Sequence, residues 1–205
     1  MDIKKLVDKD SVIEAAVQSI PYVGGPLATL YYGNKQEKRF KRLEKFYEEL
    51  REEFSKFQNN FADISSHNPD ELSAILEELN EKVESEHLEL KRKLYKNYFK
   101  KTMIYPVNGN YDERKLFLDI LSSLTPLQIE IIVFLAKQLS PIEGNSISKP
   151  GVEQAVIVGS IAQLKNNGLI DAAVNSIVIG SSSGSINENI TLSKFGKRFN
   201  EFCLL

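Results

Sequence analysis

From Phe40 onward the hydrophobic positions recur in alternating steps of three and four: Phe40, Leu43, Tyr47, Leu50, Phe54, Phe57, Phe61 and Ile64. That heptad spacing predicts one apolar seam along a helix, with Lys, Arg and Glu filling the positions between. The seam is rich in Phe, which suits a thick helical bundle or hairpin better than a two-stranded zipper. A helix running from near Pro26 to Ile64 would be about 58 Å long at roughly 1.5 Å per residue, too long for a compact monomer core. The seam is therefore expected to be an oligomerisation surface, in a dimer.

Upstream, the stretch SVIEAAVQSIPYVGGPLATLYY at 11–32 is apolar but interrupted by Glu14 and Gln18 and divided by Pro21, Gly24, Gly25 and Pro26. A spanning helix needs roughly 20 continuous apolar residues, so a short helix, a turn and a new helix from Pro26 are expected instead. Downstream, Asn68-Pro69-Asp70-Glu71 reads as a turn and N-cap before Leu72, Leu76, Leu79, Val83, Leu90 and Leu94, a second helix folding back on the first. Pro106 and Gly109 in YPVNGNYD mark a boundary, giving a helical hairpin or coiled-coil domain over 1–105 and a second domain over 106–205.

The second domain reads as three helices, a strand, a wing, a strand and a closing helix. The helices fall at 112–121, 125–139 and 152–167. Thr125 caps the second, with Pro126 at its first position and Gln128 at the capping-box position, and Gly168 stops the third. Alternating, β-branched residues at 174–179 and 189–192 predict a hairpin around the flexible 180–185. The last segment, SKFGKRFNEFCLL, closes the chain as a short helix with Phe195, Phe199 and Phe202 on one face. The fold class expected is mainly α with a small β-hairpin.

This order, carried by LTPLQIEIIVFLAKQ, VGSIAQLKNNGLI and ITLSKFGKRF, resembles the winged-helix domains of bacterial regulators over about the last 95 residues. Ile161, Leu164, Gly168, Leu169 and Ile170 carry most of the likeness. The resemblance implies a third helix that meets base edges and phosphates in a DNA major groove, or a wing used for protein contacts. The residues depart from a DNA reader: between Val152 and Asn167 only Glu153 and Lys165 are charged, with Gln154, Ser160, Gln163 and Asn166 as the remaining polar groups. The wing sequence GSSSGS has no cation for a phosphate backbone.

Charge sharpens the picture. Hydrophobic residues are 42% and charged residues 26% of the chain, so a packed core is expected; the formal charge of −2 excludes a molecule-wide basic field, and any nucleic-acid site must be local. Before Pro106 there are 18 basic and 19 acidic residues against 8 and 9 from there on, which places such a site in the helical half. Lys35, Lys38, Arg39, Lys41, Arg42 and Lys45 form one cluster, and Lys91, Arg92, Lys93 and Lys96, continued by Lys100 and Lys101, form another interleaved with Tyr95, Tyr98 and Phe99. These are the candidate contacts for nucleic acid or an anionic surface. The competing reading is a solvated helix face whose bases pair with acids three and four residues away, with the aromatics packing the core.

Chemistry is sparse. Glu84 and His87 have the Glu-x-x-His spacing of di-metal bundles, but no second pair follows, and His67 is expected on the surface of a turn. Cys203 is the only cysteine, too few for a disulfide or a thiolate zinc site, which points to a reducing, cytoplasmic setting. The N-terminal MDIKKLVDKDSVIEAAV lacks a secretory pattern. No catalytic constellation, phosphate-cradling loop or dinucleotide fingerprint is legible, so neither an enzyme nor a cofactor is expected. The reading is a non-enzymatic interaction or regulatory protein that self-associates through its helical domain and binds a protein partner through a winged-helix-like one. Its alternatives are a DNA-binding transcriptional regulator and a peripheral membrane protein using 12–32.

Overall fold

The computed structural model describes residues 34–57, 60–178 and 185–205, and the chain divides into two compact units between Ser122 and Ser123. The first contains α1 (Asn34–Phe57), α2 (Pro69–Ser85), α3 (Glu89–Ile104) and all but the last residue of α4 (Tyr111–Ser123). The α1 seam forms as its spacing predicts, for Leu43, Tyr47 and Leu50 are buried, but Phe46 joins them and widens the apolar face. α2 and α3 cover that face with Ile75, Leu79 and Val83 and with Tyr95, Tyr98 and Phe99. Each such side chain contributes about 1.5–3 kcal/mol by leaving water. Tyr47 stands edge-on to Phe46 and Phe99, with ring centres at 5.3 and 6.3 Å, and its hydroxyl donates to Asn80 Oδ1 at 2.6 Å.

Three expectations change here. The 24 residues of α1, about 36 Å, end at Phe57, and the seam does not continue helically to Ile64. Phe61 lies in a connection and Ile64 opens a 3₁₀ turn, Ile64–Ser66, because the Asp63 carboxylate takes the amide and hydroxyl of Ser65 and Ala62 N–H donates to Met103 O at 3.0 Å. At Leu43, Tyr47 and Leu50 the same chain closes the seam, so these positions are core rather than a contact between copies; Phe40 and Phe61 are half-buried, and the side chains of Phe54, Phe57 and Ile64 fall outside those described. The second helix is also two helices. Residues 86–88 leave the helix where Glu86 Oε1 accepts Leu88 N–H at 2.8 Å, a local bond that competes with the helical ladder.

The division falls at the last residue of α4, not at Pro106, because α4 is tied to the first unit. Tyr98 hydroxyl donates to Arg114 O at 2.8 Å, Lys115 Nζ meets Glu78 at 3.0 Å, and Lys82 Nζ meets Asp119 at 3.3 Å. The Pro106–Gly109 turn is thus internal to the first unit, with Gly109 at φ 73 taking the left-handed conformation that favours glycine.

The second unit runs α5 (Pro126–Ala136), β1 (Ile142–Glu143), α6 (Gln154–Asn166), β2 (Ile170–Val178), β3 (Ser185–Leu192) and α7 (Lys194–Phe199), continued by a π-helical turn Asn200–Leu204. The strands form an antiparallel sheet in the order β1-β3-β2, with Ile142 and Ala172 both opposite Ile190 and a bulge between Val174 and Ser176. The expected cap is present: Thr125 Oγ1 accepts Gln128 N–H at 3.3 Å and Gln128 Oε1 accepts Thr125 N–H at 2.8 Å. Gly168 at φ 71 ends α6. Ile132, Ile157, Leu164, Leu169, Ile190, Phe199 and Cys203 make the core. β1, two residues long, is an addition to the expected hairpin, and α5 stops three residues early, leaving Leu139 fully exposed. The whole is mainly helical with a small antiparallel sheet, as the sequence predicts.

Candidate functional site

The two basic clusters are largely engaged by the fold. In the first, Lys41 pairs with Glu37 at 2.7 Å and Lys45 with Glu49 at 3.8 Å. Arg42 Nε donates to Glu84 O at 2.7 Å, a cation on the last carbonyls of α2 where the helix dipole favours it. Lys38, exposed, and Arg39, half-buried, have no ion pair among the described residues, and the Lys35 side chain lies outside them. In the second cluster Lys91 is buried, holding Glu86 at 3.2 Å and donating to Ser122 O at 2.5 Å. Arg92 donates to the carbonyls of Glu86 and His87, and Lys93 pairs with Glu89 at 3.3 Å. Lys96, also buried, reaches Glu49 and Glu53 at 3.0 Å each, while Lys100 joins Glu53.

These pairs are electrostatically consistent. The hydrogen bond from Lys100, helped by Lys96, holds the Glu53 carboxyl below its ordinary range. Burial alone would depress the Lys96 ammonium, but hydrogen bonds and charge from Glu49 and Glu53 outweigh it and raise the ammonium above its usual value. Tyr95, Tyr98 and Phe99 are buried and offer no face on which a base can stack. Of the ten basic candidates, Lys38 and Arg39 remain the clearest for an anionic partner.

The histidines fall differently from expectation. His67 is not a surface residue: it is 5% exposed, because the chain at 67–68 is laced to the segment between α3 and α4. Its Nδ1 accepts the Val107 amide at 3.2 Å, and burial first, then the Arg114 charge, lower its pKa. His87 is exposed in the break between α2 and α3, so Glu84 and His87 do not share a helix face. Among the described residues no group of three or more His, Cys, Asp or Glu side chains is placed to hold a metal. Cys203 is buried in the second unit.

The second unit carries exposed charges such as Glu153, Asp171, Lys194 and Lys197, but one of its surfaces, on α6, is uncharged. The exposed side of α6 carries Gln154, Ala155, Val156, Val158, Gly159, Ala162, Gln163 and Asn166, and Lys165 is drawn away to Glu188 at 2.5 Å. Gln154 donates to Ile147 O at 3.1 Å and Gln163 Oε1 accepts from the buried Gln128 at 2.5 Å, so both are partly committed to the fold. Residues 171–176 of β2 are exposed, Val174 among them. A shallow groove of about 350 Å³ lies between α5 and 146–149, floored by Leu127, Ile131, Phe134, Ile147 and Ile157 with the Glu130–Lys149 pair on its rim. A second, of about 320 Å³, is lined by Leu135, Leu139, Thr191, Lys197 and Asn200. Residues 180–184 of the expected wing and the apolar 12–32 lie outside the described residues; among those described, no helix is long and apolar enough to cross a membrane.

The chain matches no protein-family model, no curated protein and no solved structure. Sequence reasoning missed the burial of His67, the Phe46 contribution and β1. The buried His gives no local signal, since its cover comes from residues about forty positions away.

Proposed function

We propose that the chain is a non-enzymatic, cytoplasmic interaction protein that binds a protein partner through its second unit, a winged-helix-like module. The winged-helix reading is supported by element order: a helix, a short strand, a helix, then a hairpin whose second strand lies between the other two, and a closing helix. The choice of partner rests on one observation, the uncharged exposed face of α6. Phosphate contacts need cations, whereas the centre of a protein interface is depleted of charge. Self-association belongs to the same proposal, with exposed apolar side chains such as Val156, Val158 and Val174 as its material in place of the α1 seam.

The test sets the partner classes against each other. Duplex titrations at 50 and 200 mM salt are run on the wild-type chain, Lys38→Ala/Arg39→Ala and Asn166→Ala; Gln163→Ala is avoided because it would leave Gln128 without its partner. Only weak, salt-sensitive binding that follows Lys38 and Arg39 is expected. In parallel, a protein captured after nuclease treatment should be retained by the wild type and lost with Val158→Asp. Tight binding to one duplex that Asn166→Ala abolishes makes α6 a base reader and overturns the proposal.

A further inference from the structure

His67 sits where two connections of the first unit meet: 60–68 ahead of α2, and 105–110 between α3 and α4. Four hydrogen bonds lace them together with the adjoining helix ends. Ala62 N–H donates to Met103 O at 3.0 Å, Asn68 N–H to Val107 O at 2.7 Å, Gly109 N–H to Glu71 Oε2 at 3.0 Å, and Val107 N–H to His67 Nδ1 at 3.2 Å. Both backbone groups of Val107 are therefore satisfied by the neighbouring residues His67 and Asn68. Val107 is fully buried, so its amide has no water to turn to if His67 lets go.

An imidazole nitrogen accepts a hydrogen bond only while it lacks a proton. The Val107 bond thus fixes the tautomer with hydrogen on Nε2, which is buried without a hydrogen-bond partner among the described residues. Protonation would set a second N–H on Nδ1 against the Val107 N–H and place a positive charge on a buried ring close to Arg114. We infer that His67 is an acid-operated latch: neutral, it closes the Val107 amide and pins the α3–α4 connection to the start of α2, and on protonation it releases both. Asn68, beside it, caps α2 by accepting the amides of Asp70 and Glu71, so release reaches the first turn of that helix.

The charged surroundings favour the neutral ring. Arg114 of α4 is the charged side chain that acts on it. Among the neighbouring acids, Asp63 is turned to Ser65, Glu71 to Gly109, and Asp70 stands exposed at the start of α2. Burial and Arg114 push the His67 pKa below its ordinary 6.5. The unfolded or released state then binds the proton more readily than the closed one. The latch is fully closed above the ordinary value and is lost as pH falls through the lower, closed-state value.

The chain has two histidines, which makes the experiment clean. Exchange of the Val107 amide, corrected for its intrinsic pH dependence, and the ¹⁵N shifts of the His67 ring are followed on the whole chain from pH 8 to 5. The Nε2–H tautomer is expected at pH 8, with the Val107 opening constant rising on acidification by up to about tenfold per pH unit, the limit for uptake of one proton. His67→Gln, whose side-chain carbonyl can accept the same amide without titrating, should flatten that rise, and His87→Gln should leave it unchanged. Should His67→Gln fail to fold, the ring shifts and Val107 exchange of the wild type decide alone. An Nδ1–H tautomer at pH 8, or the same rise in His67→Gln as in the wild type, overturns the latch.

Discussion

In the first unit α1 meets α3 through rings and charges together: Phe46, Tyr47 and Phe99 fill the seam while Lys96 and Lys100 reach across to Glu49 and Glu53. In the second, α5 and α6 bury Ile129, Ile132, Ile157 and Ile161 and are joined by a glutamine pair, Gln128 with Gln163, beside the capped start of α5. Charges that link elements of the first unit are inward business and leave few cations free; among the described residues the second unit has fewer ion pairs, Lys149 with Glu130 and Lys165 with Glu188, and leaves the exposed side of α6 without charge. The contrast explains why a basic cluster in a sequence is weak evidence for an anionic ligand, and why the proposed partner surface lies where charge is scarce. The chain also carries its own probes of the comparison: all eight tyrosines precede Ser123 and the one cysteine follows it. Tyrosine signals therefore report on the first unit, and Cys203 thiol reactivity on the second.

The largest effect is expected at Leu50, fully buried in the α1 seam. Leu50→Asp removes an apolar side chain and buries an unpaired carboxylate, at roughly 5 kcal/mol, comparable with the whole stability of a small unit. Tyrosine fluorescence should show the first unit unfolded, whereas the exposed Glu52→Ala should stay within about 0.5 kcal/mol of wild type. Superimposable melts for the two variants would mean that Leu50 is not core.

Next comes Gly196, where a Cβ would lie 2.0 Å from the Leu169 carbonyl oxygen. That is a backbone atom, fixed because Leu169 O also accepts Ser193 N–H at 3.0 Å and Gly168 O accepts from Ser193 Oγ at 2.6 Å. Gly196→Ala should destabilise the second unit by about 3 kcal/mol. Cys203 should become reactive at lower denaturant while the tyrosine transition stays in place. If both transitions move together, the two units unfold as one and the comparison between them fails.

What was legible in the sequence was local. The Asn68 and Thr125 caps, Pro126, the Gly168 stop and the Leu43–Tyr47–Leu50 spacing each depend on residues within a few positions, and each is found in place. What was not legible depends on distant partners. Nothing near Glu86, neither Gly nor Pro, announces the break before α3; it arises from a carboxylate bonding its own backbone. Pro106 suggested a boundary, yet Lys82, Lys115 and Tyr98 bind α4 into the first unit. The basic clusters showed charge but not pairing, because Lys96 and Glu53 are 43 residues apart.

Smaller, and specific to the charged unit, is the effect at Lys96. Lys96→Met keeps the buried stem but removes the ammonium shared by Glu49 and Glu53, and should cost about 1–2 kcal/mol, since Lys100 still serves Glu53. The same pairing sets an acid response. A carboxyl held low in the folded protein, as Glu53 is, binds protons less readily there than when unfolded. Its stabilisation is present above the ordinary value of 4.5 and is lost as pH falls through the folded one. Tyrosine-monitored denaturation from pH 6 to 3 should show that loss, with a shallower slope in Glu53→Gln. Equal slopes would show that the ion pairs are incidental to the first unit.

The smallest effect tests whether the second unit is held by its caps as well as by its core. Thr125 supplies one half of a capping box, and Gln128 supplies the other while its Nε2 holds Gln163 of α6. Thr125→Ala leaves the Gln128 amide without its acceptor and should lower the stability of the second unit by about 1 kcal/mol. Gln128→Ala removes the return bond and the link to α6 at once, so it should exceed Thr125→Ala, although neither touches the aliphatic core. The two changes share one network, and the double variant should therefore fall short of the sum of the singles. Cys203 reactivity in denaturant measures all three. Strict additivity would separate the cap from the α5–α6 contact, and an accompanying shift in the tyrosine transition would tie the caps of one unit to the stability of the other.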